Sequence, residues 1–195
     1  MWDGVSVVTP PADVPIQIAD LKARLPVDFA DDDTTLQSLL SAAVRRIDGP
    51  NGTGIAMMKQ TWRLSLDCFP CRTLRLPGWP ITAVTAIRYV DNDGVEQTIP
   101  GTDYRVDINS DPVRVEPAYQ KSWPSSRNII GAIEVEYELG ADVAENVPAD
   151  LIAAVCLLVG HWYENREATS ETSLSAVPFG VAYILAEYRR AHVAA

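Results

Sequence analysis

Apolar residues recur at helical spacing near the start of the chain. A short helix is predicted over residues 16–25, where apolar residues return about every three to four positions. The acidic run Asp31–Asp33 is typical of a helix start, because carboxylates complement the positive end of the helix dipole. Apolar positions then continue at the same spacing as far as Ile47, and Gly49-Pro50 stops the helix. This part of the chain therefore predicts two helices.

A second helical pattern lies towards the end of the chain. Pro148 is placed to open a helix, and the residues from Leu151 to Tyr163 are apolar on nearly every side, which is typical of a helix buried against several neighbours. A polar stretch follows, and a final helix is predicted over Phe179–Arg190. The side chains expected to form the shared core of these helices are Leu36, Leu40, Val44, Ile47, Leu151, Val155, Leu158 and Trp162.

Between the helical parts the pattern changes to a period of two. In residues 132–139 apolar side chains alternate with glutamates, which predicts a strand with one buried face and one acidic, wet face. Thr61–Leu66 alternates in the same way, and Asp91–Gly94 has the composition of a hairpin turn. About six short strands in one antiparallel unit are expected.

These patterns predict an α+β fold, in which a bundle of about four helices, two N-terminal and two C-terminal, carries an inserted antiparallel β unit. The predicted division is an irregular N-terminal arm over residues 1–14, a helical core formed by residues 15–54 and 141–195, and the β insert over residues 55–140. Prolines and the lack of a polar period predict that the arm is irregular.

The formal net charge is −10, and no part of the chain is basic. Residues 1–54 and 141–195 each carry a net charge of −4, and residues 55–140 carry −2. Tight binding to nucleic acid depends on Lys and Arg that neutralise phosphates, so a role in gripping DNA is disfavoured. An acidic surface that lets DNA pass remains allowed.

Cysteine usage and hydropathy indicate the compartment. Three cysteines argue against a disulfide framework and fit a reducing environment. The start of the chain does not resemble a signal peptide, and the longest apolar run, Leu151–Val159, is far shorter than the roughly 20 residues that span a bilayer. We therefore expect a cytoplasmic product without a membrane anchor.

Motifs that carry chemistry are few. Cys68–Cys71 is a CxxC motif between two strand patterns, with no following helix to lower a thiol pKa, so a strand-connecting turn is favoured over a redox site. A zinc site needs about four ligands, and the remaining soft ligands, Cys156, His161 and His192, are poorly spaced. Asp31–Asp33 could hold a cation, but helix capping is the simpler explanation. No catalytic residue, metal or cofactor is predicted.

Large aromatic residues are candidates for contacts with partners, because Trp and Tyr are enriched at interface hot spots. Trp79 and Trp123 lie in proline-flanked loops, so core packing and interface anchoring are equally open for them. Trp62 and Trp162 are expected in the core.

Several segments, in their order along the chain, resemble the tailed-phage head–tail connector (adaptor) proteins, in the branch with a β insert between the helices. The segments that carry the resemblance are Ile18–Val27 with the acidic helix start, Lys59–Trp62, Tyr89–Gly94 with Asp103–Val106, Pro117–Tyr119 with Ser122–Pro124, Val147–Leu151, Val159–Arg166, Pro178–Gly180 and Tyr188-Arg189. Relatives include the adaptor of gene transfer agents, which are phage-derived particles of bacteria.

The resemblance implies a structural part of a phage or phage-like particle and not an enzyme. Members of this family form a ring, usually of twelve copies, beneath the portal protein, and the ring joins the portal to the stopper and tail proteins. DNA passes through the lumen without specific binding, and no membrane is involved. Such a part is assembled in the bacterial cytoplasm. The net charge, repeated around a ring, predicts a lumen that repels DNA phosphates.

Given this resemblance, portal docking is expected at the C-terminal helix and tail, Tyr183–Ala195, and contacts with neighbours or tail proteins at the loops of the β insert. The residues expected at these interfaces are Tyr183, Tyr188, Arg189, Arg190, Trp79, Trp123 and Tyr119. Two alternatives stay open. A stopper or tail-completion protein is disfavoured by the flanking helices, and a small hydrolase is disfavoured because the acidic pairs lie on strand faces or at helix caps.

Overall fold

The computed structural model of the protein describes residues 4–25, 31–165 and 179–188. In chain order the elements are β1 (Val5–Thr9), α1 (Ile18–Arg24), α2 (Asp33–Ile47), β2 (Gln60–Leu66), β3 (Leu74–Leu76), β4 (Ile81–Val90), β5 (Glu96–Thr98), β6 (Tyr104–Asp107), β7 (Val113–Pro117), β8 (Ile133–Leu139), a 3-10 turn at Ala144–Asn146, α3 (Ala149–Glu164) and α4 (Phe179–Tyr188). Helices and two antiparallel sheets confirm the predicted α+β class. None of the helices in these ranges is long and apolar enough to cross a membrane.

The larger sheet has five antiparallel strands in the order β1-β2-β8-β4-β5, so β8 is its central strand. Along β8 the side chains of Ile133, Val135, Tyr137 and Leu139 are fully buried, while the glutamates between them are partly exposed. Trp62 on β2 lies opposite Tyr137 and meets it edge to face, with ring centroids 6.5 Å apart. The alternation in the sequence therefore predicted this strand correctly.

The smaller sheet has three antiparallel strands in the order β3-β7-β6. Its inner face is apolar, because Leu74, Leu76 and the β7 residues Val113 and Val115 are buried in the core of the β unit. Its outer face carries charged side chains, since residues alternate between the two faces of a strand.

The helices share a separate apolar core. Leu36, Leu40, Ile47, Leu151, Val155 and Leu158 are buried in it, and Val44 and Trp162 pack against its edge, partly buried. The helix α3 has buried residues along most of its length, as expected for a helix that is apolar on nearly all sides.

A buried polar chain joins the helical core to the β unit. Asp48, directly after α2, accepts hydrogen bonds from the Met57 amide at 2.9 Å and from Gln60 Nε2 at 3.1 and 3.2 Å. Gln60 in turn accepts a hydrogen bond at 2.8 Å from Trp62 Nε1. Burial raises the pKa of the Asp48 carboxyl, and the hydrogen bonds that it accepts oppose this shift.

Two expectations need correction. The described residues form eight strands rather than about six. The arm over residues 1–14, expected to be irregular, contains β1, which pairs with β2 at the edge of the larger sheet. Four of the five residues of β1 are exposed, so this edge strand is held by backbone hydrogen bonds and shows no buried face in the sequence. Its β-branched composition is the signal that favours a strand.

Candidate assembly surfaces

The helix α4 is anchored to the rest of the protein at two points. Val181 is fully buried in the helical core. The Tyr188 hydroxyl donates to the Asp150 carboxylate at 2.7 and 2.8 Å, and its ring lies 5.7 Å from the Trp79 ring between centroids. Tyr188 and Trp79, both expected at partner interfaces, thus contact each other and tie α4 to α3 and to the loop before β4.

The opposite side of α4 is open. Tyr183 is 73% exposed, and Leu157 on α3 is 47% exposed. Gly180 packs beside Leu157, since a Cβ atom there would lie 3.7 Å from the leucine Cδ1. Gly180 and Tyr183 are three residues apart on α4 and so lie on the same side of it. We name this side, together with Leu157, the α3–α4 surface. Arg189 and Arg190, also expected at this interface, lie outside the described residues.

An aromatic cluster closes one end of the β unit. The rings of Phe69 and Trp123 stack with centroids 5.0 Å apart and nearly parallel planes, and Tyr89 meets Phe69 edge to face. Trp123 Nε1 donates to the Arg72 carbonyl at 2.7 Å, so this tryptophan mainly holds the turn that contains the CxxC motif. Tyr119, by contrast, is 86% exposed and free to meet a partner.

The turn between β2 and β3 carries Cys68 and Cys71, and both are exposed. It connects two strands and leads into no helix, as the sequence predicted. Within the ranges described above, no three His, Cys, Asp or Glu side chains lie together in a way that would hold a metal ion.

The acidic run Asp31–Asp33 begins a helix, as the sequence predicted, and Asp33 lies in the first turn of α2. No side chain caps α2. Asp33 instead pairs with Lys22 at 2.7 Å, and Asp32 accepts a hydrogen bond from the Tyr163 hydroxyl. The two carboxylates therefore link α2 to α1 and to α3, and this use of their oxygens replaces side-chain capping.

The acidic face of β8 is largely neutralised by its neighbours. Glu136 lies between Arg63 on β2 and Arg88 on β4, at 2.7 and 2.9 Å. Hydrogen bonds from these guanidinium groups hold the pKa of the Glu136 carboxyl below its ordinary value. Arg63 also reaches Glu134, and Glu138 pairs with Lys59. The face is a network of ion pairs and shows no carboxylate arranged for acid–base chemistry.

Comparisons with known proteins agree with this description. Residues 127–189, which include β8, α3 and α4, match the family model of the phage gp6-like head-tail connector proteins. No curated protein matches the chain by sequence.

Among solved structures, a chain from the "Virion of native gene transfer agent (GTA) particle" is 27% identical, with a TM-score of 0.75 and 97% of each chain covered. A chain from the "Neck of native GTA particle computed with C12 symmetry" is 28% identical, with a TM-score of 0.73 and the same coverage. A third, from the "Neck of empty GTA particle computed with C6 symmetry", is also 28% identical, with a TM-score of 0.71. The family match and this likeness over nearly the full length confirm the resemblance, found in the sequence, to the head–tail connector proteins.

Proposed function

We propose that the protein is one subunit of a ring in the neck of a gene-transfer-agent-type or phage particle, where it connects the DNA-filled head to the tail. The observation that carries this proposal is the likeness, over 97% of both chains, to proteins of a particle neck solved with C12 symmetry. We propose a ring of twelve identical copies, which the C12 symmetry of that neck supports. Assembly takes place in the bacterial cytoplasm, and the protein leaves the cell as part of the particle.

The geometry supports a role as a rigid connecting part. The helical core and the β unit have separate apolar cores, and the buried chain from Asp48 through Gln60 to Trp62 joins them. A closed ring of identical subunits needs two different faces that meet between neighbours. The helical part and the β unit expose different surfaces, which are candidates for these two faces.

The portal protein is the partner that we assign to the C-terminal helix and tail. Tyr183 is the described residue that best fits an anchor there, because it is a large aromatic side chain that is 73% exposed. Tyr119, with the loops around it, is assigned to neighbouring copies or to stopper and tail proteins. Trp79 and Tyr188 pack against each other behind α4, and Trp123 packs against Phe69 in the β unit. We propose that these three residues hold the two surfaces in place.

The role that we propose involves no catalysis. The comparisons are with components of particles, and the strongest carboxylate cluster, around Glu136, is held in ion pairs. DNA is expected to pass through the ring without specific binding. The net charge of −10 per subunit would repel phosphates and keep the duplex mobile.

Electron microscopy of the purified protein mixed with its portal protein tests this proposal. Ring-shaped density stacked on the portal is the expected result. The substitution Tyr183→Ser should weaken the stacking, whereas Val95→Ser, at a side chain that is 54% exposed in the turn before β5, should leave it unchanged. A protein that stays monomeric and indifferent to the portal would contradict the proposal and favour a stopper or tail-completion role.

A further inference from the structure

The outer face of the three-stranded sheet is a basic surface on an acidic protein. Four arginines and two carboxylates lie on it or at its border, although the chain as a whole has 26 acidic and 16 basic residues. We name this surface the basic face. Its members are Arg72, Arg75, Arg105 and Arg114 with Asp107 and Glu116.

The register of the strands explains how these side chains come together. Arg75 on β3 is directly opposite Arg114 on β7, which is directly opposite Asp107 on β6. In the next row, Arg105 is opposite Glu116. Residues that face each other across antiparallel strands project from the same side of the sheet. Three strands that are distant in sequence thus contribute to one surface.

The charges on this surface are not balanced internally. Asp107 accepts from Arg114 at 2.6 Å, and Glu116 accepts from Thr73 at 2.6 Å and from Arg72 at 3.3 Å. Both carboxylates are thereby engaged, and their pKa values lie below the ordinary ones. Arg75 and Arg105 are exposed and form no ion pair with any residue that the structure describes.

The opposition of Arg75 and Arg114 is unfavourable for the sheet itself, because like charges directly across a strand pair repel each other. A local arrangement that opposes folding is expected where function needs it. An anionic group from outside would relieve this repulsion. A groove of about 440 Å³ between Arg72, Arg105, Arg114 and Tyr119 offers room for such a group.

We propose that the basic face docks an acidic surface of a neighbouring copy of this chain in the ring. This inference rests on the proposed ring. The helical parts, residues 1–54 and 141–195, each carry a net charge of −4, so the neighbour offers the complementary charge. Contact between this face and an acidic face elsewhere on the next copy is heterologous, as closure of a ring requires.

A protein partner fits this surface better than DNA does. The carboxylates of Asp107 and Glu116 lie among the arginines and would repel phosphates at close range. The exposed Tyr119 beside the groove adds the aromatic and arginine composition that is enriched in protein interfaces.

Neutralisation of two arginines tests the inference. The double variant Arg75→Gln/Arg105→Gln replaces two exposed side chains, so it should keep the fold. Circular dichroism and thermal unfolding verify that the fold is kept. The control Arg75→Lys/Arg105→Lys keeps both positive charges at the same exposed positions. We expect Arg75→Gln/Arg105→Gln to raise the protein concentration needed for half-maximal ring assembly on the portal roughly tenfold. The control should change this concentration by less than about twofold.

Carbodiimide cross-linking, which joins amines to carboxylates, adds a second readout. Lys121 follows Tyr119 closely in the chain and lies 3.4 Å from Asp103, so the intramolecular Lys121–Asp103 product serves as an internal standard. In rings assembled from ¹⁴N- and ¹⁵N-labelled protein, mixed-isotope links from Lys121 to acidic peptides of residues 1–54 or 141–195 are expected. They should be lost in Arg75→Gln/Arg105→Gln and kept in the control.

The outcomes distinguish the two proposals. Rings that form equally well from both variants, or links from Lys121 that are only intramolecular, would overturn this inference and leave the ring intact. Normal assembly together with weakened binding of a short DNA duplex by Arg75→Gln/Arg105→Gln would instead assign the face to nucleic acid. If the unaltered protein forms no ring on the portal, the proposed function and this inference both fail.

Discussion

The substitution Gln60→Leu should destabilise the protein where its two cores meet. Gln60 is 3% exposed and bridges the helical core to the β unit, because it donates to Asp48 and accepts from Trp62 Nε1 at 2.8 Å. Leucine has a similar size but neither donates nor accepts. The buried tryptophan therefore loses this acceptor, and the partly buried Asp48 carboxylate loses its side-chain donor.

The magnitude follows from the two interactions that are lost. Loss of a hydrogen-bond partner from a buried polar group costs about 1–3 kcal/mol, and the additional apolar burial of leucine returns about 1 kcal/mol. Asp48 keeps the hydrogen bond from the Met57 amide, which limits its share. The free energy of unfolding at pH 7 should thus fall by about 2–4 kcal/mol.

The pH dependence gives an independent check. Burial raises the pKa of folded Asp48 above 3.8, and the Gln60 hydrogen bond is one of the contacts that lower it. Gln60→Leu should therefore raise this pKa further. When folding raises the pKa of a carboxyl, the protein loses stability as pH rises from the unfolded pKa to the folded pKa of that group. The loss of unfolding free energy caused by Gln60→Leu should therefore be larger at pH 7 than near pH 4.

Chemical denaturation at both pH values, with Gln97→Leu as the control, measures these effects. Gln97 is exposed on β5, where it donates to Asp91 at 2.9 Å, so its replacement should change stability little. Equal effects of the two substitutions, or a Gln60→Leu penalty that does not depend on pH, would refute the reasoning about the buried chain.

Three further predictions concern other parts of the fold. Glu136→Gln should lower the free energy of unfolding by about 1–2 kcal/mol at pH 7. Because folding lowers the pKa of Glu136 below 4.5, the stability that its carboxylate contributes is lost as pH falls through the folded pKa. The unfolding free energies of the variant and the unaltered protein, measured by urea denaturation, should therefore become equal in acid. Gly140→Ala should lower the free energy of unfolding by about 3 kcal/mol or more, because φ at Gly140 is +99° and a Cβ atom would lie 2.2 Å from a backbone carbonyl oxygen. Gly101→Ala should be tolerated, because a Cβ atom there would have no neighbour within 4 Å. Thermal unfolding of the two variants compares these effects. Tyr188→Phe removes the hydrogen bonds to Asp150 and should speed hydrogen exchange in α4 more than in α2.

Much of the fold could be predicted from local patterns. The period of two in β8 and the long apolar run of α3 each describe one element with a buried face, and such elements show in the sequence. The strand β1 was missed because it lies at an edge with little burial. Its pairing with β2 depends on a partner that is more than 50 residues away, which no local period can reveal.

The candidate surfaces were less predictable for the same reason. The glutamates of β8 look like a bare acidic face until Arg63 and Arg88 are placed on the flanking strands. The basic face depends on the register of β3, β7 and β6, and its residues extend from Arg72 to Glu116 in an acidic chain. Trp79 and Tyr188, which the sequence places among the interface candidates, also contact each other, although they are far apart in sequence.

A cryo-electron microscopy reconstruction of the particle neck, from particles that contain this protein, tests the central claim most directly. We expect a closed ring of copies between head and tail, with the helical core and the two sheets in the arrangement described above. Density in which this fold is absent from the neck, or present as isolated copies elsewhere in the particle, would contradict the assignment as a ring-forming connector.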